Sequence, residues 1–407
     1  MRTSKNKRKK TKIYLLYILI VVLILAGSYV TIILLKPLKP IYPTLLPTPS
    51  LSSGKLVVNW PTNAQSSIGV YGYGLVSTNG TQTATPTASI AKLVTALLIL
   101  KKYPLALGEQ GPNITLTAND VADYNNFVAE QGSVVRVVAG EKITEYQAIQ
   151  AMLLPSANNM ADTLAVWAYG SIPNYISYAN PYVNSLGMDS TVISDASGFS
   201  PKTVSTSNDL IKLGQASLSN PVISQIVGQK SAILPVVGSV NNVDYFLGQD
   251  SLIGIKTGNT DQAGGCFLSA AKYIVDGNAI TVIGAVMKAP NLQSALSETM
   301  PMLSSVQKQI QTKTIRSGTV ISSYSMPWQV NVEGVTKTTI SNAYLPGMNF
   351  SLAIHTTEIN VPASVNTNVG SISIGLGKAN QTSSLVSNKV ITKPTIIWRL
   401  THPKYIL

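Results

Sequence analysis

Hydrophobic positions divide the chain into an apolar N-terminal run, a central region of helix and strand patterns, and a C-terminal region of short alternating runs. In the centre, residues 89–100 have a helical pattern, and residues 145–168 form two predicted helices broken near Pro155, because proline disrupts a helix interior. Residues 68–77 have the pattern of one strand, followed by a turn at Asn79-Gly80. Three further strands are predicted at residues 252–256, 265–271 and 279–287. The pattern predicts an α/β chain with an antiparallel sheet edge and a mostly helical insert.

The N-terminal run from Ile13 to Leu35 contains no charged residue and is long enough to cross a bilayer as a helix. Seven Lys and Arg residues precede it in residues 1–12, supplying +7 of the net +13 and leaving +6 for the rest of the chain. Since positive flanks stay in the cytoplasm, we expect a single-pass cell-membrane protein whose remaining residues are extracytoplasmic. A cleaved signal peptide is the alternative, because Ala26, Gly27 and Ser28 are small. Ser28 also stands where a lipoprotein would need its Cys, which excludes acylation there.

These boundaries predict five segments. Residues 1–12 are a basic cytoplasmic segment, 13–35 the transmembrane helix and 36–54 a Pro-rich linker, whose prolines favour an extended spacer. Residues 55–300 are the predicted catalytic domain. Residues 310–407 contain alternating runs such as 319–322 and 371–375, which indicate a small β-sandwich, with 398–403 as a strand end and tail.

Composition restricts which side chains can serve as a catalytic base or as metal ligands. The only histidines, His355 and His402, lie in the C-terminal region, so a Ser/His/Asp arrangement in the α/β part lacks its base. No His/Cys cluster is available for zinc, and no metal, nucleotide, other cofactor or nucleic acid is implied. Cys266 is the sole cysteine, which rules out an intramolecular disulfide and favours a small buried hydrophobe. A nucleophile would need lysine as its activator, with a pKa lowered by burial or by a neighbouring cation.

Ser89 and Lys92 are the first candidate pair. Residues three apart share a helix face, and Ser89 lies at the predicted helix start, where backbone NH groups favour developing negative charge. The motif alone is weak, because Ser-x-x-Lys also begins at four other serines and because a lysine often extends from an apolar helix to water. Those four are Ser4, Ser52, Ser269 and Ser305.

Two downstream motifs strengthen the pair. Ser156 and Asn158 form a Ser-x-Asn on the break between two predicted helices, and residues 256–258 form a Lys-Thr-Gly on a predicted strand. This ordered trio occurs in class A β-lactamases and penicillin-binding proteins. Over roughly residues 60–290 the chain resembles the D-alanyl-D-alanine carboxypeptidases, the low-molecular-mass penicillin-binding proteins. The stretches that carry the resemblance are PTASIAKLVTALLIL, GEKITEYQAIQAMLLPSANNMADTLA, LGMDSTVISDASGF, STSNDLIKLG and GIKTGNTDQAGGCFLSAAKY.

The resemblance implies a serine β-lactamase/penicillin-binding transpeptidase-like fold, an antiparallel sheet flanked by helices plus a helical subdomain, with a small C-terminal β-rich domain. It implies removal of the terminal D-Ala from peptidoglycan stem peptides through an acyl-enzyme on Ser89, with β-lactam antibiotics as acylating inhibitors. Lys92 would be the base and Ser156 a proton relay. The substrate would be held by Asn158, Lys256, Thr257, Gly258 and Asn259, with NH groups of Ser89 and Asn259 as the oxyanion hole.

Structural alternatives accompany these roles. Ser156 could be a helix N-cap, Asn158 a turn former, Lys256 a solvated strand residue and Gly258 a bulge. Asp195 and Asp209 lie within the family-like stretches and are interpreted as structural.

Three functional alternatives use the same sequence. A β-lactamase of class A needs a deacylating Glu after the Ser-x-Asn, and residues 146–297 contain no Glu, which favours a peptidase. A DD-endopeptidase would use the same residues. A non-catalytic wall-binding scaffold with an idle site is the third alternative.

Overall fold

The computed structural model describes residues 2–47 and 54–406, so residues 48–53 of the predicted linker lie outside the described residues. The helices are α1 (Arg2–Leu35), α2 (Lys92–Lys102), α3 (Ala118–Ala129), α4 (Glu145–Leu153), α5 (Asn158–Tyr169), α6 (Ile172–Ser185), α7 (Ser207–Ser219), α8 (Pro221–Val227), α9 (Leu292–Gln307) and α10 (Ile396–Thr401), with 3-10 turns at Ala88–Ala91 and Pro403–Tyr405. The strands are β1 (Thr44–Leu45), β2 (Gln65–Val70), β3 (Gly74–Asn79), β4 (Thr85–Pro86), β5 (Asn113–Thr115), β6 (Lys142–Thr144), β7 (Val204–Ser205), β8 (Ser231–Leu234), β9 (Gly238–Asn241), β10 (Leu252–Thr260), β11 (Gly264–Val275), β12 (Asn278–Ala289), β13 (Gln311–Ile315), β14 (Val320–Met326), β15 (Gln329–Thr336), β16 (Ile340–Tyr344), β17 (Ser351–Thr356), β18 (Asn368–Leu376) and β19 (Ala379–Ser387).

A five-stranded antiparallel sheet in the order β10-β11-β12-β2-β3 is the centre of the catalytic region. Both of its faces are covered. Successive side chains of a strand point to opposite faces, so a single strand contributes to two cores. On β11, Cys266 and Leu268 belong to the core shared with helices α2, α4, α5 and α7, whereas Phe267 and Tyr273 belong to a second core with α9. The three strands predicted from β10 to β12 are therefore confirmed, and β10 lies at the sheet edge.

Residues 145–168 form two helices with a break between them, as predicted. Helix α4 begins with a capping box, in which Thr144 and Gln147 satisfy each other's backbone NH groups. It ends at Leu153, and α5 begins at Asn158, so Pro155 lies in the break as expected. This short non-helical segment turns Ser156 towards the edge of the five-stranded sheet.

The C-terminal region is β-rich. Six strands form a sheet in the order β1-β14-β15-β19-β18-β17, and β13 pairs with β16 in a separate two-stranded sheet. The runs at 319–322 and 371–375 lie within or beside β14 and β18, as predicted. The fold class is thus an antiparallel sheet with flanking helices, an N-terminal apolar helix and a β-rich C-terminal region. The domain boundaries given above stay predictions.

Two strand predictions differ from the structure. Residues 68–77 are not one strand but a tight hairpin of β2 and β3, because Gly72 (φ +82°) and Gly74 (φ +112°) adopt left-handed backbone angles. Residues 398–403, predicted as a strand end and tail, lie in α10 and the following 3-10 turn. Residues 36–47, part of the predicted linker, contact the C-terminal region: Ile41 bridges to Ile359 and β1 pairs with β14.

Candidate active site

The nucleophile candidate lies on a 3-10 turn that joins β4 to α2. Ser89 belongs to the turn Ala88–Ala91, and the α-helix itself begins only at Lys92. Strand β10 lies directly against this turn. A Cβ added to Gly258 would come within 3.0 Å of the Thr87 carbonyl oxygen and 3.1 Å of the Ser89 nitrogen. Because any larger side chain would push the strand away, glycine permits this close approach. Gly258 is no bulge, since it pairs in register with Cys266.

Lys92 is completely buried beneath Ser89. Its Nζ lies 2.8 Å from Ser89 Oγ, 2.7 Å from Asn158 Oδ1 and 2.9 Å from the Ser197 carbonyl oxygen. Burial, and then the charge of Lys256, lower the pKa of Lys92 well below its ordinary value, although two carboxylates oppose the shift. An uncharged amine has two N–H donors for the Asn158 and Ser197 oxygens and one lone pair. The lone pair is then free to accept the Ser89 proton.

Ser156 occupies the break between α4 and α5, with its backbone in the left-handed region (φ +66°). That conformation is uncommon for a residue with a side chain and marks a position over-determined by its surroundings. The N-cap of α5 is Ala157, so the alternative of Ser156 as the cap is wrong. Asn158 is the first residue of α5 rather than a turn residue, and its NH group donates to the Ser133 carbonyl, which fixes the helix start.

Lys256 points from the edge strand towards Ser156. It is 2 % exposed, which excludes the solvated alternative, and its Nζ donates to Ser156 Oγ at 3.0 Å and to the Thr257 carbonyl oxygen at 3.2 Å. Burial lowers the pKa of Lys256 to about 7, and the negative charge of Asp244 opposes that shift. Asp244 is itself 5 % exposed, and its Oδ2 has no hydrogen-bond partner.

The remaining predicted positions continue along the same strand. Thr257 is buried beside Lys256, and Asn259 follows Gly258 at the exposed end of β10. The Asn259 side chain accepts a hydrogen bond from the Leu292 NH at the start of α9, which leaves the predicted oxyanion role to its backbone. The structure therefore brings Ser89, Lys92, Ser156, Asn158 and Lys256 together at one edge of the sheet, with the Thr257–Asn259 segment alongside.

Asp195, which was interpreted as structural, lies in the loop between α6 and β7, and this loop supports the site directly. Asp195 accepts hydrogen bonds from the backbone NH groups of Phe199 and Ser200 and from the Ser197 hydroxyl, which holds the Ser197 carbonyl against Lys92. A Cβ on Gly198 (φ +75°) would lie 1.9 Å from the Ala88 carbonyl oxygen. Sequence reasoning missed Ser197, Gly198 and Asp244. A backbone carbonyl and a close approach have no residue-type signature, and Asp244 belongs to no motif.

Two further groups behave as predicted. Cys266 is completely buried, and burial raises the pKa of its thiol to about 11, as suits a small hydrophobe. Asp209 pairs with Lys212 at 3.0 Å and accepts from the Ser190 NH, both structural contacts. Within residues 2–47 and 54–406, no group of three His, Cys, Asp or Glu residues is arranged to hold a metal ion.

Known proteins resemble this chain in sequence and in fold. The sequence profile described as D-alanyl-D-alanine carboxypeptidase, peptidase S11, matches residues 72–291. D-alanyl-D-alanine carboxypeptidase DacB2 of Mycobacterium tuberculosis is 33% identical over 198 residues, which are 46% of this chain and 62% of that relative. A D-alanyl-D-alanine endopeptidase of Escherichia coli K12 is 26% identical over 228 residues, 54% of this chain and 67% of that protein.

A solved structure shares the fold. The peptidoglycan synthesis regulatory factor PBP3 of Streptococcus pneumoniae superposes with a TM-score of 0.63 at 17% identity, over 82% of this chain and all of that one. At that identity the likeness concerns the fold alone. The matched profile covers more than half of the 407 residues and includes the Ser-x-x-Lys, Ser-x-Asn and Lys-Thr-Gly segments. The chain belongs to the D-alanyl-D-alanine carboxypeptidase family of serine peptidases.

Proposed function

We propose that this protein is a serine-type D-Ala-D-Ala carboxypeptidase that removes the terminal D-Ala from peptidoglycan stem peptides. The observation that carries the proposal is the pair of buried lysines, each hydrogen-bonded to one of the two serines of the motifs. Lys92 contacts Ser89, and Lys256 contacts Ser156. Two amines with lowered pKa values next to two hydroxyls supply base and relay without histidine.

Acylation begins at Ser89. The Lys92 amine takes the hydroxyl proton, and Ser89 Oγ attacks the carbonyl carbon of the penultimate D-Ala. Backbone NH groups of Ser89 and Asn259 donate to the oxyanion, a contribution of about 3 kcal/mol per donor in comparable acyl-transfer sites. Asn158 keeps the Lys92 amine oriented through its Oδ1.

Collapse of the tetrahedral intermediate breaks the C–N bond. Ser156, hydrogen-bonded to the Lys256 ammonium, relays to the departing D-Ala nitrogen the proton that Lys92 took from Ser89, which returns Lys92 to its uncharged form. Protonated Lys256, together with Thr257, binds the terminal carboxylate, while Gly258 lets the peptide lie along the edge of β10 as an added strand. Lys92 then takes a proton from the water that attacks the ester and gives it to Ser89 Oγ, which releases the shortened stem peptide and restores the hydroxyl.

Fluorescent penicillin tests the proposal, because a β-lactam acylates the same hydroxyl. We expect the full-length protein to be labelled and Ser89→Ala to lose the label. Ser305→Ala is the matched control, since Ser305 also begins a Ser-x-x-Lys but lies on α9, where it accepts from the Asn59 NH. A folded wild type that stays unlabelled would favour the non-catalytic scaffold and overturn the enzyme proposal.

DD-endopeptidase activity is the second candidate, because relatives of that name match the same region. Purified muropeptides distinguish the two activities. A carboxypeptidase removes one D-Ala from pentapeptide stems, whereas an endopeptidase converts cross-linked dimers to monomers. A long-lived penicilloyl adduct would separate both from a β-lactamase, whose adduct hydrolyses rapidly.

The proposal includes a place for the protein in the cell. The structure contains an apolar helix, residues 7–35, that is long enough to cross a membrane, a property shared by anchors and signal sequences. We assign it as an anchor with the active site extracytoplasmic, where peptidoglycan is found. Resistance of the full chain to alkaline extraction from membranes, with an uncleaved N-terminus by mass spectrometry, is the expected result. Release of a protein lacking residues 1–28 would show a cleaved signal instead.

A further inference from the structure

A groove opens on the surface of the helical part, where α2 and α5 end beside α6. Its volume is about 630 Å³, within the range of about 300–1,000 Å³ that small-molecule sites occupy. Lys101 and Lys102 line the groove from α2, and Tyr169 lines it from the end of α5. The α6 positions that line it share one helix face, because their spacing follows the helical repeat: 177, 178, 181, 182 and 185.

The groove is separate from the active site. Helix α2 begins at Lys92 beside Ser89, and its residues are buried as far as Leu100, whereas Lys101 and Lys102 are exposed at its end. Nine residue steps of about 1.5 Å place Lys101 about 14 Å from Lys92 along the helix axis. A ligand in the groove is therefore separated from the nucleophile by the buried length of α2 and does not block the cleft.

Three tyrosine rings line this groove. The ring centroids of Tyr169 and Tyr178 are 5.0 Å apart, and Tyr178 is 56% exposed. Tyr182 is half-buried, with the Lys101 ammonium 5.0 Å from its ring centroid. Within the described residues, the hydroxyl groups of Tyr178 and Tyr182 make no hydrogen bond to protein. Because an aromatic face carries partial negative charge, it attracts the positively polarised C–H groups of a sugar ring, and the two hydroxyls can bond to its polar substituents.

The polar groups of the groove complement an anionic ligand. In the part of the chain that the structure describes, neither Lys101 nor Lys102 forms an ion pair, and none of the lining residues is acidic. Lys102 donates to the Ala168 carbonyl, which leaves Lys101 as the cation for a ligand carboxylate. Pro181 has no NH group, so the Ser177 carbonyl four residues earlier lacks its usual helical donor and can accept from a ligand hydroxyl.

We propose that this groove binds a glycan strand of peptidoglycan, with a sugar ring stacked on Tyr178 and a stem-peptide carboxylate at Lys101. The inference rests on the proposed function, which places the protein beside a polymer whose sugars carry peptides with free carboxylates. A neutral glycan would leave Lys101 unpaired, and a phosphate polymer without sugar rings would leave the tyrosine faces uncovered. A carboxylate-bearing sugar polymer uses both features.

The polymer then occupies two sites of the protein. One stem peptide is cut at Ser89, while a glycan segment of the same polymer lies in the groove. Such tethering raises the effective concentration of stem peptides at the cleft and leaves the chemical step unchanged.

Calorimetric titration of the full-length protein in detergent tests the groove. The probe is GlcNAc-MurNAc-L-Ala-D-Glu, which has the sugars and carboxylates of peptidoglycan but no D-Ala to be cleaved. We expect saturable binding, weakened by about tenfold or more in Tyr178→Ala and in Lys101→Met. Tyr178→Phe keeps the ring and should bind like wild type. Tyr71→Ala and Lys272→Met are the matched controls, since both side chains are exposed outside the groove.

Labelling of the same samples by fluorescent penicillin separates this inference from the proposed function. Tyr178→Ala and Lys101→Met should keep the wild-type labelling rate, because both leave Ser89 and Lys92 in place. A labelled wild type that does not bind the probe, or two groove variants that bind it with unchanged affinity, would overturn the groove and leave the peptidase. Saturable binding by an unlabelled protein would support the groove and remove the peptidase.

Three further outcomes test the ligand assignment. Binding of the neutral disaccharide chitobiose with the same affinity as the probe would overturn the role of the carboxylate. Tighter binding of poly(glycerol phosphate) would overturn the glycan in favour of a phosphate polymer. A loss of affinity in Tyr178→Phe as large as in Tyr178→Ala would overturn the stacked sugar.

Discussion

Replacing Lys256 by Met should stabilise the fold in a pH-dependent way. Burial lowers the pKa of Lys256 from 10.5 to about 7. At 1.36 kcal/mol per unit, the folded state disfavours the charged amine by about 5 kcal/mol. The unfolded chain binds one more proton than the folded chain between about pH 7 and 10.5, so wild-type stability rises with pH across that window, by about 1.4 kcal/mol per unit. The free-energy penalty for the charged Lys256 is fully present below its pKa in the folded state, about 7, and disappears above its pKa in the unfolded state, 10.5.

The variant removes this penalty. Part of the gain is offset, because Ser156 Oγ loses its partner, at a cost of about 1–3 kcal/mol. The cost of the lost Ser156 hydrogen bond does not depend on pH, whereas the desolvation penalty of the charged Lys256 does. We therefore expect the advantage of Lys256→Met over wild type to be largest near pH 7 and to shrink by about 1.4 kcal/mol per pH unit. Lys92 remains in both proteins, and because the charge of Lys256 lowers the pKa of Lys92, the loss of that charge in the variant adds to the advantage.

Cys266 provides the assay. It is the only cysteine of the chain, is fully buried and lies on β11 beside the edge strand, so a thiol reagent reaches it only when the sheet opens. The ratio of labelling rates of wild type and variant at one pH cancels the intrinsic reactivity of the thiol. Between about pH 7.5 and 9.5 that ratio should fall about tenfold per pH unit.

The control is Lys272→Met, which removes an exposed lysine from the neighbouring strand β11. Its labelling ratio should stay constant over the same range. A constant ratio for Lys256→Met as well would mean that Lys256 carries no desolvation penalty, and the proposed electrostatics of the site would be refuted.

Three other substitutions test separate supports of the site. Asn158→Ala removes one acceptor of the buried Lys92 amine and leaves it the Ser197 carbonyl, so acylation by fluorescent penicillin should slow at least tenfold and thermal stability should fall by about 1–3 kcal/mol; unchanged kinetics would contradict the orienting role. Asp244→Asn removes the charge that raises the pKa of Lys256, so the high-pH limit of acylation by a carboxylate-bearing β-lactam should move to lower pH, and an unmoved profile would exclude the coupling. Gly198→Ala places a Cβ 1.9 Å from the Ala88 carbonyl oxygen and should destabilise the protein by about 2–4 kcal/mol, measured by thermal unfolding; a neutral result would show that the turn can shift.

Most elements of the catalytic region could be predicted because their signals are local. Pro155 interrupts a helical period, and the strands β10 to β12 are long apolar runs between polar turns. The hairpin at residues 68–77 could not be separated from one strand in the same way. Glycines in a strand pattern indicate either a bend or a close approach. At Gly72 the structure shows a turn, while at Gly69 an added Cβ would meet Ile211 at 2.4 Å, so both causes occur within four residues.

The C-terminal errors have a tertiary cause. The segment at 398–403 has no strong helical period, and its conformation depends on partners that are remote in sequence. Arg399 contacts the end of α1 more than 360 residues earlier, and Trp398 packs on Trp328. The contacts of residues 36–47 have the same kind of cause, because extended proline-rich backbone is also suited to an edge strand once a sheet offers free NH and carbonyl groups.

The candidate site combines features that each lower the stability of the fold. Two lysines are buried without a carboxylate bonded to either Nζ in the described structure, and Ser156 and Ala88 (φ +47°) hold left-handed backbone angles. Such strain persists only where surrounding packing over-determines it. Here the packing is the same sheet edge and helical core that exclude water, and water exclusion is what lowers both lysine pKa values. The chemistry and the instability therefore have one physical origin, so a substitution that lets water reach Lys92 should stabilise the protonated amine and abolish its action as a base in the same step.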